Sequence, residues 1–205
     1  MIFFPEISWD TAMLWSVVGY LLGSIPSGVL IAHAMGLGNL REIGSGNIGA
    51  TNVLRTGNKS AAALTLLFDA LKGVLAVLLA RYFADSGAAQ VAAVAALLGH
   101  CFPIWLKFKG GKGVATYFGV IFALAWPLGI VAAIIWLSVA AISRYSSMAA
   151  LVVAGWLPLV MMFAGYASYF LMGVVLGLLV YLRHWGNIQR LRDGTETKIG
   201  AKSTS

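Results

Sequence analysis

Residues 114–142 read VATYFGVIFALAWPLGIVAAIIWLSVAAI, 29 positions without one charged side chain. As a single helix the stretch would be about 43 Å long, against a hydrocarbon core of about 30 Å. Trp126-Pro127 falls near its middle. A proline there removes a backbone donor and clashes with the preceding turn. The stretch therefore reads as two short membrane spans joined by a tight turn. The same reading extends outwards. Apolar runs cover 11–34 (interrupted by Gly23, Pro26 and Gly28), 61–84, 87–102 and 148–182, the last broken at Gly165-Tyr166. The total is seven spans, four of them short, which suits a thin or locally thinned bilayer.

Composition agrees. Of 205 residues, 60% are hydrophobic and 10% charged, and the mean hydropathy is +0.88. Soluble domains carry roughly 45–50% apolar and about 25% charged residues. A disulfide scaffold, a disordered tail and an ordinary cytosolic enzyme are excluded on these grounds. The expected fold is an all-α, polytopic transmembrane helix bundle forming a single domain over 1–205. The lone Cys101 has no internal partner, and no Cys/His spacing suggests a metal. The first charges are Glu6 and Asp10, with no basic stretch ahead of them, so a signal peptide is not expected.

Charge sets the orientation. The net charge is +7. With seven spans, one side holds Arg41, Arg55, Lys59, Lys107, Lys109, Lys112, Arg144, Arg183, Arg190, Arg192, Lys198 and Lys202, twelve of the 14 basic residues. The other side holds Arg81 with Glu6, Asp10 and Asp85. The positive-inside rule places the twelve in the cytoplasm, the N-terminus outside and the C-terminus inside. Five fused spans would instead move Arg144 outside. The excess charge then reads as loop charge facing anionic lipid rather than as a nucleic-acid footprint.

All four polar segments (35–60, 103–113, 143–147 and 183–205) fall on that one side. The opposite turns are tiny. The first segment contains GSGNIGATNVLR over 44–55. Its glycines let backbone N–H groups converge on an anion, Ser45, Asn47, Thr51 and Asn52 add donors, and Arg55 can fork onto a phosphate. The bland alternative is a flexible loop between spans. The second contains KGGKGVAT over 109–116. It is not a Walker A loop, because Gly113 follows Lys112 and no glycine lies five positions before Gly111. It still reads as an anion site ahead of a helix N-terminus, where a plain charge anchor would not need Gly110-Gly111. The third, around Arg144 and Ser147, could be an ordinary turn. The fourth places His184, Asn187 and Leu191 on one helix face. A basic helix lying on lipid is an equal reading of it.

Asp69 and Lys72 sit three apart inside a span and are expected to pair facing the bundle interior, more as a structural pair than a functional one. His33 and His100, near span ends, read as packing residues. No His-x-x-x-x-Asp occurs, so a His/Asp acyltransferase dyad is absent.

Glycine beside nearly every cation, at one mouth of an apolar bundle, suits a phosphate head with a greasy tail and a second phosphate compound from water. GSGNIGATNVLR, then KGGKGVAT, then Arg183-His184 with Asn187-Ile188, Arg190-Leu191, Gly194 and Glu196, resemble the three motifs of the bacterial acyl-phosphate:glycerol-3-phosphate acyltransferases. Asp69-Ala-Leu-Lys72-Gly73 resembles that family's second-span pattern, and the likeness covers nearly the whole chain. It implies acyl transfer from acyl phosphate to the 1-hydroxyl of glycerol 3-phosphate at the inner membrane, with no cofactor or metal and membrane lipid as the surroundings. The chain is read as monomeric.

With that resemblance, Lys112 and the backbone of Gly110 and Gly111 are expected to hold glycerol 3-phosphate. Ser45, Asn47 and the N–H groups around Gly44 and Gly46 are expected to hold acyl phosphate and the developing oxyanion. Arg55 would clamp a phosphate. His184 and Asn187 would line the same site, with Thr51, Asn52, Arg144, Ser147 and Glu196 as further binding residues. Direct attack by the glycerol hydroxyl is expected, rather than an acyl-Ser45 intermediate. The rivals are a small transporter or channel for a phosphate-bearing solute and a non-catalytic membrane subunit.

Overall fold

The computed structural model describes residues 7–200; Glu6 and Lys202 lie outside them. The described residues form ten helices: α1 (Trp9–Gly23), α2 (Ser27–Ala34), α3 (Ala50–Val53), α4 (Lys59–Phe83), α5 (Ser86–Cys101), α6 (Val114–Leu124), α7 (Trp126–Ser143), α8 (Ser146–Phe163), α9 (Phe170–Arg183) and α10 (Trp185–Arg192). No strand occurs among them.

The stretch 114–142 divides where expected. Ala125 is extended (φ −154°), ending α6, and Pro127 sits in the first turn of α7, where its missing N–H has no partner to lose. Gly23 and Pro26 likewise separate α1 from α2. Side-chain caps start the helices: Ser8, Asn58 and Asp85 accept the N–H of Thr11, Ala61 and Ala88.

Every expected apolar run thus holds a helix. Five stretches are long and apolar enough to cross a membrane: Trp9–Ala34, Lys59–Phe83, Ser86–Leu106, Trp126–Ser143 and Ser146–Phe163. α9 with α10 makes a sixth, bent by 62°. α6, with 11 residues, spans about 16 Å, roughly half the hydrocarbon thickness.

The packing is that of a membrane bundle. Leu66, Leu67, Phe68, Leu75, Leu78, Ile134 and Leu137 face outwards, while Ala88, Ala89, Ala92, Ala93 and Ala96 are fully buried. Large apolar side chains outside and small ones within let helix backbones approach closely in lipid. Gly19 and Gly23 of α1 meet Ala92 and Ala96 of α5; a Cβ on Gly23 would lie 2.0 Å from the Ala96 carbonyl oxygen. Gly119 of α6 meets Ala70 of α4, where a Cβ would lie 2.2 Å from the carbonyl oxygen.

Four polar residues inside the bundle, Asp69, Lys72, His100 and Thr116, form one bonded group, whereas Tyr117 Oη and Trp136 Nε1 are buried without a hydrogen-bond partner among the described residues. Lys72 Nζ lies 2.8 Å from Asp69 Oδ1 and donates to the Ile25 carbonyl at 2.8 Å, at the break between α1 and α2. Thr116 Oγ1 donates to the Asp69 carbonyl (2.8 Å) and lies 3.2 Å from His100 Nδ1. His100 is buried, as a packing histidine should be, whereas His33 is exposed on α2.

Gly23→Leu should therefore force α1 off α5 and lower stability by at least about 1–3 kcal/mol. Gly49→Ala, where a Cβ meets nothing within 4 Å, should stay within about 0.5 kcal/mol of wild type. Thermal unfolding of the detergent-purified proteins compares the two.

Candidate active site

The first polar loop is built around a buried side chain. Asn52, 2% exposed, accepts from Ser45 N (3.0 Å) and Ser45 Oγ (3.3 Å) on its Oδ1. Its Nδ2 donates to the carbonyls of Leu40 (3.0 Å) and Asn47 (2.7 Å). All four of these bonds lie within the loop, so Asn52, buried on α3, organises it; the expectation of a group free to meet substrate finds its amide already engaged. Gly44 (φ +52°) and Gly46 (φ +66°) turn the chain with left-handed backbone. A Cβ on Gly44 would sit 2.6 Å from Arg55 Nη1 and 2.7 Å from Asn52 Oδ1, so that glycine lets Arg55 lie across the loop. Ser45, Thr51 and Arg55 are exposed. Asn47 Oδ1 is buried without a hydrogen-bond partner among the described residues.

The second segment is folded back against the end of α5. Tyr20 Oη donates to the Phe102 carbonyl (2.8 Å), and Trp105 Nε1 to Ser24 Oγ (2.9 Å). Lys107 (φ 52°) and Phe108 (φ 61°) then reverse the chain in left-handed backbone. Gly110 N donates to the Cys101 carbonyl and Gly111 N to the His100 carbonyl, both at 3.1 Å. These two N–H groups are not free to cradle a phosphate, contrary to the sequence expectation. Their glycines answer a steric demand: a Cβ would lie 2.1 Å from His100 O at Gly110 and 2.2 Å from His100 Nε2 at Gly111.

Lys112 follows, half-buried. Burial lowers its pKa to about 8, opposed by Glu196 and reinforced by Arg190, Arg55 and Arg183. Lys112 therefore shares an electrostatic environment with residues of the first and fourth polar segments. Glu196 joins the third and fourth. Its Oε1 accepts from Ser147 Oγ (2.7 Å) and Asn187 Nδ2 (2.6 Å), and its Oε2 from Arg190 Nε (2.7 Å). Burial pushes the Glu196 carboxyl up, but those three hydrogen bonds and the Arg190 charge more than reverse it, leaving it below its ordinary value. His184, buried between α9 and α10, lies 2.8 Å from the Val180 carbonyl through Nδ1. A carbonyl only accepts, so Nδ1 carries the proton and Nε2 is the acceptor.

The structure thus gathers Ser45 and Arg55, Lys112, Ser147, and His184, Asn187 and Glu196 at one end of the bundle. Arg144 is directed elsewhere. It is left-handed (φ 61°) after α7, its guanidinium donates to the Ile199 carbonyl (3.3 Å), and its own carbonyl accepts from Ile199 N (2.7 Å). It fastens the C-terminal segment. Two residues left out of the expected binding set have a larger part, although Arg183 opens the third motif. Arg183 donates to the carbonyls of Gly111 (3.0 Å) and Gly110 (3.1 Å), and lies over the Phe102 ring at 5.1 Å. Arg41 donates to the carbonyls of Gly46 and Lys109. The signal available was the position of Arg183, directly before His184 at the end of an apolar run. Among the described residues no group of three His, Cys, Asp or Glu is placed to hold a metal ion.

A family model described as Glycerol-3-phosphate acyltransferase matches residues 13–194. The chain belongs to that family. A glycerol-3-phosphate acyltransferase of Ruegeria pomeroyi is 60% identical over 195 residues, covering 93% of this chain and 94% of the relative. One of Dinoroseobacter shibae is 55% identical over 201 residues, covering 97% and 98%. Among solved structures, PlsY, an integral membrane glycerol 3-phosphate acyltransferase, superposes in its glycerol 3-phosphate form with TM-score 0.87 at 38% identity, covering 92% of this chain and 96% of that one. Its lysophosphatidic acid form gives 0.83 at 36% identity, covering 92% and 95%. The acyltransferase fold is thereby common to both, and the resemblance read from the three motifs holds.

Asn52→Ala would leave the Asn47 carbonyl without a donor and Ser45 N without an acceptor, and would leave the Leu40 carbonyl only its 3.4 Å bond from Ile43 N. Each buried unsatisfied group costs about 1–3 kcal/mol. The variant should melt earlier, and its 40–52 loop should be cut faster by protease.

Proposed function

We propose that the protein transfers a fatty acyl group from acyl phosphate to the 1-hydroxyl of sn-glycerol 3-phosphate, giving lysophosphatidic acid and inorganic phosphate in the first step of phospholipid synthesis. The observation that carries this is the cation excess at one end of an apolar bundle: Arg41, Arg55, Lys112, Arg183 and Arg190 gather there, with Glu196 bonded to Arg190. Two phosphate compounds repel each other, and such a field brings them together. The motif relationship and the glycerol 3-phosphate and lysophosphatidic acid forms of PlsY supply the acceptor and product. Acyl phosphate suits the site because a mixed anhydride arrives activated and its leaving group is itself an anion.

In this reading Lys112 holds the glycerol 3-phosphate phosphate, and Arg55 clamps the donor phosphate beside Ser45 and Asn47. The acceptor hydroxyl oxygen attacks the acyl carbon, the bond from carbon to phosphate oxygen breaks, and phosphate leaves with the electron pair. The hydroxyl proton passes to a phosphate oxygen or to His184 Nε2. Ser45 is hydrogen-bonded to the Asn52 amide, and among the described residues no imidazole or carboxylate is bonded to it. A serine nucleophile needs such a base, which favours direct transfer. The polar end faces the cytoplasm of the bacterial inner membrane, since twelve basic residues gather on that side of the sequence.

Purified protein given acyl phosphate and glycerol 3-phosphate should release phosphate and a lipid-soluble product. Movement of a phosphate-bearing solute into vesicles without turnover would support the transporter reading instead. With labelled donor and no acceptor, no acyl-Ser45 adduct should be trapped.

Lys112→Ala should raise KM for glycerol 3-phosphate roughly 10- to 100-fold, the worth of a charged hydrogen bond, and KM for the donor much less. The pH dependence follows from the lowered pKa of Lys112, about 8. The cation is present below that value and lost above it. The substrate phosphate is already a dianion there, its second pKa being about 6. KM for glycerol 3-phosphate should be flat near neutrality and climb as pH passes about 8.

A further inference from the structure

Lys109, Gly110 and Gly111 present three consecutive carbonyls to two arginines. Arg183 takes the carbonyls of Gly110 and Gly111 at 3.1 and 3.0 Å. Arg41 takes the Lys109 carbonyl and, at 3.1 Å, that of Gly46 in the Ser45 loop. The opposite edge of the same ribbon is held by the Cys101 and His100 carbonyls. The backbone leading into Lys112 is therefore bonded on both edges. The arginines contribute the edge that ties it to α9 and to the first polar loop.

We propose that Arg183 is a positioning residue of the acceptor site. Its two-pronged grip on Gly110 and Gly111 sets where Lys112 meets the phosphate monoester, and Arg41 ties that placement to the donor loop. The Nε–Nη2 edge of a guanidinium is the edge that forks onto a phosphate. Here it faces two main-chain oxygens, and Phe102 lies under the guanidinium plane. Arg183 thus acts through Lys112 rather than on substrate. A lysine keeps the charge but is a single point and cannot span two carbonyls. The grip is a matter of shape as well as charge, and it rests on the acceptor assignment made above.

The test compares Arg183→Lys and Arg183→Ala in the full-length protein in nanodiscs. Two measurements are made: both KM values, and hydrogen exchange over 106–118. In both variants KM for glycerol 3-phosphate should rise roughly tenfold, about the worth of one charge-assisted hydrogen bond, while KM for acyl phosphate stays within about twofold. Exchange at 109–113 should quicken in both. In Arg183→Ala the alkaline rise in KM should also move to higher pH. Lys112 then loses one of the three guanidinium charges around it, Arg55 and Arg190 remaining against Glu196. An Arg183→Lys enzyme with wild-type KM would overturn the proposal, as would equal changes in both KM values with unaltered exchange at 109–113. If wild type fails to turn over these substrates, the functional reading falls. The exchange result on Arg183→Lys then still decides the clamp, unaltered protection refuting it.

Discussion

The Gly110-Gly111 ribbon lies against the last turn of α5, bonded backbone to backbone and packed on the His100 ring, and the polar end of the molecule is arranged around that contact. Two N–H groups close onto the His100 and Cys101 carbonyls. Two carbonyls are left pointing the other way, where Arg183 meets them. A methyl group at either glycine would collide with His100, so the ribbon would have to lift away. Lys112 would move with it. The lysine side chain is long and its rotamers many, but its Cα is fixed by neighbours that cannot yield.

This explains how a bundle with so few charges keeps several cations close together. Like charges held near one another in a half-buried site repel and are costly to desolvate. Of the cations at this end, Arg190 alone among the described residues has a carboxylate, Glu196, in direct contact. Arg41 and Arg183 instead meet main-chain carbonyls, which are neutral but strongly dipolar. A carbonyl can hold a guanidinium without cancelling its charge. The field is thus preserved for an incoming anion, and the donors need not be pulled from counter-ions when it arrives. Preorganised charge of this kind is what stabilises a developing oxyanion and holds two anionic reactants in reach.

Much of this was legible in the sequence, for identifiable reasons. Helix content and breaks follow from hydrophobic length and from Pro26 and Pro127, which act within a turn of themselves. The clustering of Ser45, Arg55, Lys112, Ser147, His184, Asn187 and Glu196 followed from the rule that polar segments share a side. What stayed hidden is which partner each group takes. Gly110 and Gly111 looked like an anion nest because glycine frees N–H groups, yet glycine also admits close backbone packing, and only the neighbour His100 decides between the two. Asn52 looked like a donor to substrate, but a single turn of helix, α3, turns it inwards. Arg144 reads in the sequence as a site cation, and its bonds to the main chain of Ile199 leave no trace in residue type. Arg41 and Arg183 were invisible as ligands of carbonyls, since main-chain acceptors leave no trace in residue type.

The buried polar group beneath the ribbon completes the support. Asp69 and Lys72 of α4, His100 of α5 and Thr116 of α6 bring three helices to one point, and Lys72 adds the Ile25 carbonyl at the break of the first span. His100 Nδ1 also lies 3.5 Å from Asp69 Oδ1. Apolar side chains in lipid pack without strong preference for one register, because the surrounding tails are equally apolar. A charged pair with directed hydrogen bonds has far fewer acceptable arrangements, since a mispaired member would be left uncompensated in a medium that cannot solvate it. The imidazole of His100 faces this group while its carbonyl receives Gly111. The register of α4, α5 and α6 is thereby passed, through one residue, to the backbone that carries Lys112.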